Sequence, residues 1–299
     1  MRLLLVLLCM SLGLAFPVYT FAQTNGISIT PSLLKLDLSK EEPQAIFYYK
    51  NNTKNFIELS FSAQDFTQLE EGWRVKFLDE KSSQNYRYSL TSWIEFEKKS
   101  LTLRPYEEGL LKILINKDEL SPGGHYAAIL AEVAQANEQG QVKIKGILSS
   151  LLFVRTSTGK EVELGKISSF ESIQSFWDFP NKFLVRFQNT GNVELVPYGV
   201  VEIKDPLNNF VAKGILNEGS LITLPGSIKR YDLSVSRKIH TLLPGFYSAQ
   251  VTLKYGKNEA ILKKQNTFFY FGGIHLVLAL ILIGAVIFIL KKGNLVKTN

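Results

Sequence analysis

Two strongly apolar segments sit at opposite ends of this chain, and between them no apolar run is long and no cysteine occurs. That layout decides most of what the chain can fold into. A middle without disulfides and without a sustained helical stripe must be held by packed cores built from short runs. Short alternating runs broken by turn residues form strands. At the front, Met1 and Arg2 make a charged start, residues 3–16 are apolar, and Thr20 and Ala22 are small residues placed for a cleavage site. Residues 1–22 therefore read as a cleaved signal peptide. At the rear, residues 268–290 are apolar or small except for Tyr270 and His275, and Lys291 and Lys292 follow at once. That length is close to the roughly 20 residues that cross a bilayer, so the sequence predicts one C-terminal transmembrane helix. The lysines place residues 291–299 as a short cytoplasmic tail and the N-terminal part outside.

Charge and cysteine content narrow the class further. The net charge is +7, of which Arg2, Lys291, Lys292 and Lys297 supply four, leaving the exported part at +3. So small an excess, spread over segments of mixed sign, is no electrostatic footprint for nucleic acid. Cys9 is the only cysteine and lies inside the leading apolar segment, so the mature chain can form no disulfide. An exported part without disulfides leans towards a bacterial envelope.

Residues 23–267 suffice for two domains of ordinary size. Strand-type runs occur at residues 45–49, 56–61, 74–78, 93–96, 110–115, 126–134, 141–154, 183–188, 195–203, 228–235 and 247–255, bounded by Gly, Pro, Asn or Asp. The first two, separated by the polar turn at residues 50–55, read as two strands joined by that turn. The pattern predicts an all-β fold of antiparallel sandwiches. The apolar strand ending at Val154 runs out into Thr156, Ser157, Thr158 and Gly159, which sets a boundary between residues 23–155 and residues 156–267. Both halves share a grammar. A strand ends in an Asn-rich turn (Asn51-Asn52-Thr53; Asn189-Thr190-Gly191-Asn192), a later strand ends in Pro105 or Pro225, and a Pro-Gly turn precedes Tyr126 or Tyr247. Two related sandwiches in series account for this most economically.

Those turns, with Ile29-Thr30-Pro31, Trp93-Ile94 and Pro122-Gly123-Gly124-His125-Tyr126, resemble the immunoglobulin-like domains of pilus chaperones. They resemble more closely the first domain of bacterial WxL-interacting surface proteins, whose order of parts also matches this chain. The resemblance implies two tandem immunoglobulin-like β-sandwiches, the first contacting peptidoglycan or another wall polymer and the second contacting a secreted protein. It supplies no ligand-contacting residue. Two functions remain open on this reading: a membrane-anchored adaptor at the cell surface, or a chaperone-like assembly factor that holds exported clients by strand addition.

Catalytic chemistry has little to build on. His125, His240 and His275 are far apart in sequence, no pair has metal-ligand spacing, and phosphate-loop, dinucleotide and nucleophile-elbow motifs are missing. Adjacent acids such as Glu70-Glu71 and Asp79-Glu80 point to opposite faces of a strand and read as solvated turns. The sequence thus predicts a non-enzyme with no catalytic, cofactor-binding or metal-ligating residues. Its candidate ligand contacts are the aromatics and the base of one polar stretch, Trp73, Tyr86, Arg87 and Tyr88, which could offer ring faces and hydrogen bonds to a glycan or peptide. A strand pair with its aromatics packed inward is the plainer account of the same residues. The run at residues 144–154, with Ser149 and Ser150 in its centre, is either an edge or a core strand, and an edge would suit strand addition. Asn51-Asn52-Thr53 matches the N-glycosylation pattern and reads as an exposed turn.

Overall fold

The computed structural model describes residues 26–136, 142–156, 159–173, 178–238 and 243–296. The expected signal peptide, the end of the tail, and residues 137–141, 157–158, 174–177 and 239–242 lie outside the described residues. The chain is built of β-sheets with one long C-terminal helix.

The first sandwich pairs two sheets. One holds β1 (Ile27–Thr30), β3 (Gln44–Asn51), β8 (Glu108–Ile115) and β6 (Ile94–Phe96), in that order. The other runs β2 (Leu33–Asp37), β10 (Val142–Arg155), β9 (Gly124–Ala136), β4 (Ile57–Gln68) and β5 (Val75–Phe77), with β7 (Ser100–Leu103) also on β4. Burial alternates strictly along β3, with Ala45, Phe47, Tyr49 and Asn51 inside and the residues between them more open, as a strand with one core face requires. Phe47, Leu59, Leu111, Ile113, Ile129 and Leu152 from both sheets meet in one core. At the start the chain switches sheets. Pro31, which has no amide to donate, falls between β1 on one sheet and β2 on the other, and β2 runs parallel to β10.

The second sandwich packs β11 (Gly165–Ile173), β12 (Lys182–Asn189) and β15 (Ile228–Ser234) on a sheet of β16 (Ser236–Arg237), β14 (Phe210–Leu216), β13 (Tyr198–Lys204), β17 (Gly245–Tyr255) and β18 (Ala260–Tyr270). Phe183, Val185, Phe187, Val201, Ile203, Tyr247, Val251 and Leu253 fill its core. A one-turn helix, α1 (Glu80–Gln84), interrupts the first sandwich, with Asp79 as its N-cap accepting from the Ser82 amide at 2.8 Å.

Three expectations need correction, and one gains detail. The runs at residues 45–49 and 56–61 are strands joined by a turn, as expected, and they lie in different sheets: β3 sits between β1 and β8, while β4 sits in the opposite sheet beside β9. The polar turn joins sheets across the core, which strand patterning alone does not distinguish from a hairpin. The apolar run starting at residue 268 is not helical throughout. Phe268 is buried and stacks on Tyr247 at 5.6 Å, so residues 268–270 finish β18, and the helix α2 (Gly273–Val296) begins after Gly272. Residues 195–197 do not belong to β13, since Leu195 forms an isolated bridge to Thr223. Asn51 is fully buried, with its carboxamide tied to backbone, and is not an exposed glycan acceptor. Helix α2 is long and apolar enough to cross a membrane and is not covered by either sandwich between Gly273 and Leu290.

Candidate functional site

The longest strand, β10, is paired on one side only along most of its length. Against β9 it is bonded from Val142 to Arg155, but β2 covers its other side only from Leu151 to Arg155. Among the described residues no strand pairs with that side between Val142 and Ser150. The Leu151 amide donates to Ser32 O at 3.0 Å on the β2 side. Because amides alternate sides with a period of two, those of Ser149 and Ile147 face the same, uncovered side. A bulge between Ile144 and Gly146 ends the regular edge. The free edge therefore offers donors and acceptors to an extended segment over Gly146–Ser150, and β2 stops such a segment at Ser32.

Beside this edge the outward face is mixed, with Ile147 opposite the exposed Glu132 and Ser149 opposite Leu130. Ile147 is 61% exposed on the face turned away from the core of the first sandwich. Further along, Leu151 and Phe153 share that face with Leu130, Ala128, Tyr126 and Phe66, and there Leu224 and Ile222 of the second sandwich cover them. This strip ends in a cavity of about 260 Å³, lined by Leu33, Leu151, Phe153, Trp73, Leu221 and Lys229. A larger cleft of about 770 Å³ adjoins it between the β4–β5 turn, at Glu70–Trp73, and β15.

Two sets of bonds join the two sandwiches. On one side the tip of the β4–β5 hairpin reaches the second sandwich: Gln68 Nε2 donates to Ile228 O at 2.6 Å, the Arg230 amide to Glu71 O at 3.0 Å, and Glu71 pairs with Arg186 at 2.8 Å. Away from the cleft Arg155 meets Glu163 at 2.7 Å and Glu194 at 3.4 Å, while Tyr126 donates to Glu194 at 3.2 Å. Burial, reinforced by the Glu194 charge, pushes the Tyr126 hydroxyl well above the usual phenol range. Asn192 completes this side, accepting at its carbonyl from the Gly124 amide at 2.8 Å.

Lys229 is the one strongly buried cation in the cleft wall, 5% exposed. Its Nζ donates to Ile222 O, and it forms no ion pair among the described residues. Burial lowers its ammonium to about 8. A lysine held in this way shows a polar head to a cavity whose lining is mostly apolar, with Gln68, Arg74 and Ser220 at it too, and has donors left for an acceptor there.

The four sequence-predicted contacts end up in different environments. Trp73 is 75% exposed and lines both cavities. Tyr86 and Tyr88 pack edge to face at 5.6 Å, Tyr88 lies against Tyr126, and Arg87 stacks over Tyr88. Burial drives the Tyr86 hydroxyl up to about 12. These three line neither cavity. The sequence does not single out Lys229, while Ile147 falls in the run at residues 144–154 that it offers as an edge or a core strand. Lys229 sits in a run of alternating polarity that reads as an ordinary surface lysine, and the openness of β10 depends on how little of it β2 covers.

No family model matches the chain, and no curated protein matches it. Solved structures do. The chaperone–tip adhesin complex of CFA/I fimbriae biogenesis aligns over 80% of this chain and 98% of its own at 11% identity, with a TM-score of 0.44. The class 5 fimbriae chaperone CfaA aligns over 82% and 99% at 8% identity and a TM-score of 0.41. The CsuC–CsuE chaperone–tip adhesion subunit complex of Acinetobacter baumannii aligns over 68% and 88% at 10% identity and a TM-score of 0.38. At such identities and TM-scores these are likenesses and nothing more, and function has to be read from the chain's own geometry. Among the described residues no group of three or more His, Cys, Asp or Glu could hold a metal ion.

Proposed function

We propose that the protein is a membrane-anchored, non-catalytic holder of exported polypeptides, which takes an extended client segment as an added strand on the open edge of β10. The observation that carries this reading is the pairing of β10, bonded along its full length to β9 but covered by β2 only from Leu151 onwards. Main-chain bonds give such an edge affinity for many sequences, and the exposed Ile147 with the apolar strip that begins at Leu151 favours clients with alternating apolar side chains. In this account residues 23–155 and 156–270 are two domains, residues 1–22 are removed on export, α2 spans the membrane, and the tail lies in the cytoplasm. The test uses the full chain in nanodiscs and a set of nine-residue peptides with alternating apolar residues. Binding that slows exchange of the Ile147 and Ser149 amides supports strand addition, and binding that leaves both amides unchanged refutes it.

Trp73 favours a second reading. A solvent-facing indole at the mouth of a cleft suits stacking on a sugar ring, which fits an adaptor to a wall polymer. Retention of the Trp73→Ala protein on purified cell wall at the wild-type level removes this reading.

A further inference from the structure

The end of the second sandwich that meets α2 has surface features that strand addition does not use. Strand β18 ends at Tyr270 and α2 begins at Gly273, so only Phe271 and Gly272 separate the sheet from the helix. If α2 crosses a bilayer, this end of the sandwich lies at the bilayer surface. Phe246, at the start of β17, is 68% exposed and packs edge to face on Phe269, 50% exposed, at 5.1 Å. Leu207 is exposed on the turn between β13 and β14. That turn is at the same end, because Pro206 lies against Gly245.

Cations surround these apolar groups. Lys182 begins β12 and Lys204 ends β13, both exposed. Arg237 stacks over Phe179, which packs on Tyr270, and Lys238 sits 4.7 Å from the Phe210 ring centre. Two carboxylates share this end. Asp178 is exposed, and Asp205 accepts from the Leu207 and Asn209 amides of its own turn. The cations therefore outnumber the acids by two.

We propose that this end of the second sandwich is a membrane-docking face for anionic lipid headgroups. Leu207, Phe246 and Phe269 enter the interfacial layer, where amphipathic and aromatic side chains are favoured. Lys182, Lys204, Arg237 and Lys238 lie over the headgroups, an attraction that weakens as salt rises. Docking fixes the sandwich upright on the membrane and so sets the height at which the β10 edge meets exported chains. The inference rests on the reading of α2 as a membrane anchor but not on strand addition.

The test places the full chain in nanodiscs made with bromine-labelled acyl chains and phosphatidylglycerol, and follows tryptophan emission. Wild type supplies the background of Trp73, Trp93 and Trp177. The expected result is that most of the extra emission of Phe246→Trp is lost to bromine. That loss falls when Lys182, Lys204, Arg237 and Lys238 are changed to Gln, or when phosphatidylcholine replaces the anionic lipid. Phe288→Trp, within α2, reports insertion of the helix itself. If Phe288→Trp is quenched and Phe246→Trp is not, the docking face is overturned while the anchor stands. If neither is quenched, the anchor fails and the docking face with it.

Discussion

Asn51 and Asn189 close the same corner in the two sandwiches. Each ends a strand with its side chain fully buried, and each donates from Nδ2 to the carbonyl four residues on: Asn51 to Asn55 O at 2.8 Å, Asn189 to Val193 O at 2.8 Å. Each also reaches the carbonyl two residues before a proline, Leu103 O at 3.4 Å and Thr223 O at 3.0 Å. Their Oδ1 atoms accept the amide two residues on, from Thr53 at 2.9 Å and Gly191 at 3.0 Å. One carboxamide thus pins the start of one turn to the end of a distant strand, twice in the chain.

Removing either carboxamide strands buried carbonyls. Asn51→Ala and Asn189→Ala should each destabilise the full chain by about 2–3 kcal/mol in urea unfolding, since each leaves unpaired polar groups inside. Asn51 should stay unglycosylated when the protein is made in a glycosylating cell, with an unchanged intact mass as the readout.

Much of this corner is legible in the sequence, because Asn, Pro and Gly are needed there for local hydrogen bonding and fixed dihedrals. The repeated grammar misleads at the Pro-Gly turns. Tyr247 lies in the core of the second sandwich, but Tyr126 comes one residue later after its turn and so falls on the opposite face, under Leu224. The sequence does not show strand β18, because Lys263, Lys264, Gln265 and Asn266 hide its alternation, which only the burial of Phe268 completes. The open edge of β10 depends on pairing between residues more than a hundred positions apart, and composition holds no record of that.

Lys229 makes stability depend on pH. Its folded value, near 8, lies below that of an unfolded lysine near 10.4, so the unfolded chain binds more protons between the two and stability rises with pH across that window. The charged form is penalised by about 3 kcal/mol below pH 8. Urea unfolding at pH 7 and pH 9.5 should show the wild type gaining stability, and Lys229→Met should be more stable than wild type at pH 7 and lack most of that gain.

Glu194 faces Arg155 and Tyr126 across the two sandwiches. Glu194→Ala leaves a largely buried guanidinium with only Glu163 and backbone, and should cost about 3 kcal/mol, the lower end for breaking a buried pair. Small-angle scattering should show a wider spread of sandwich orientations than wild type. Glu194→Gln, which keeps a hydrogen-bond acceptor, should lose less.

The central claim is that the unpaired side of β10 receives a client strand. A photo-reactive amino acid at position 147, whose native Ile147 is exposed, in the full chain in its own envelope tests it most directly, compared with and without Ser149→Pro. Proline removes an amide that faces the open side and spares the bonds to β9, so the fold should be kept. The account predicts covalent adducts to an extended, alternating apolar segment of an exported protein, lost in the proline variant. No adducts, or the same adducts with Ser149→Pro, would contradict it.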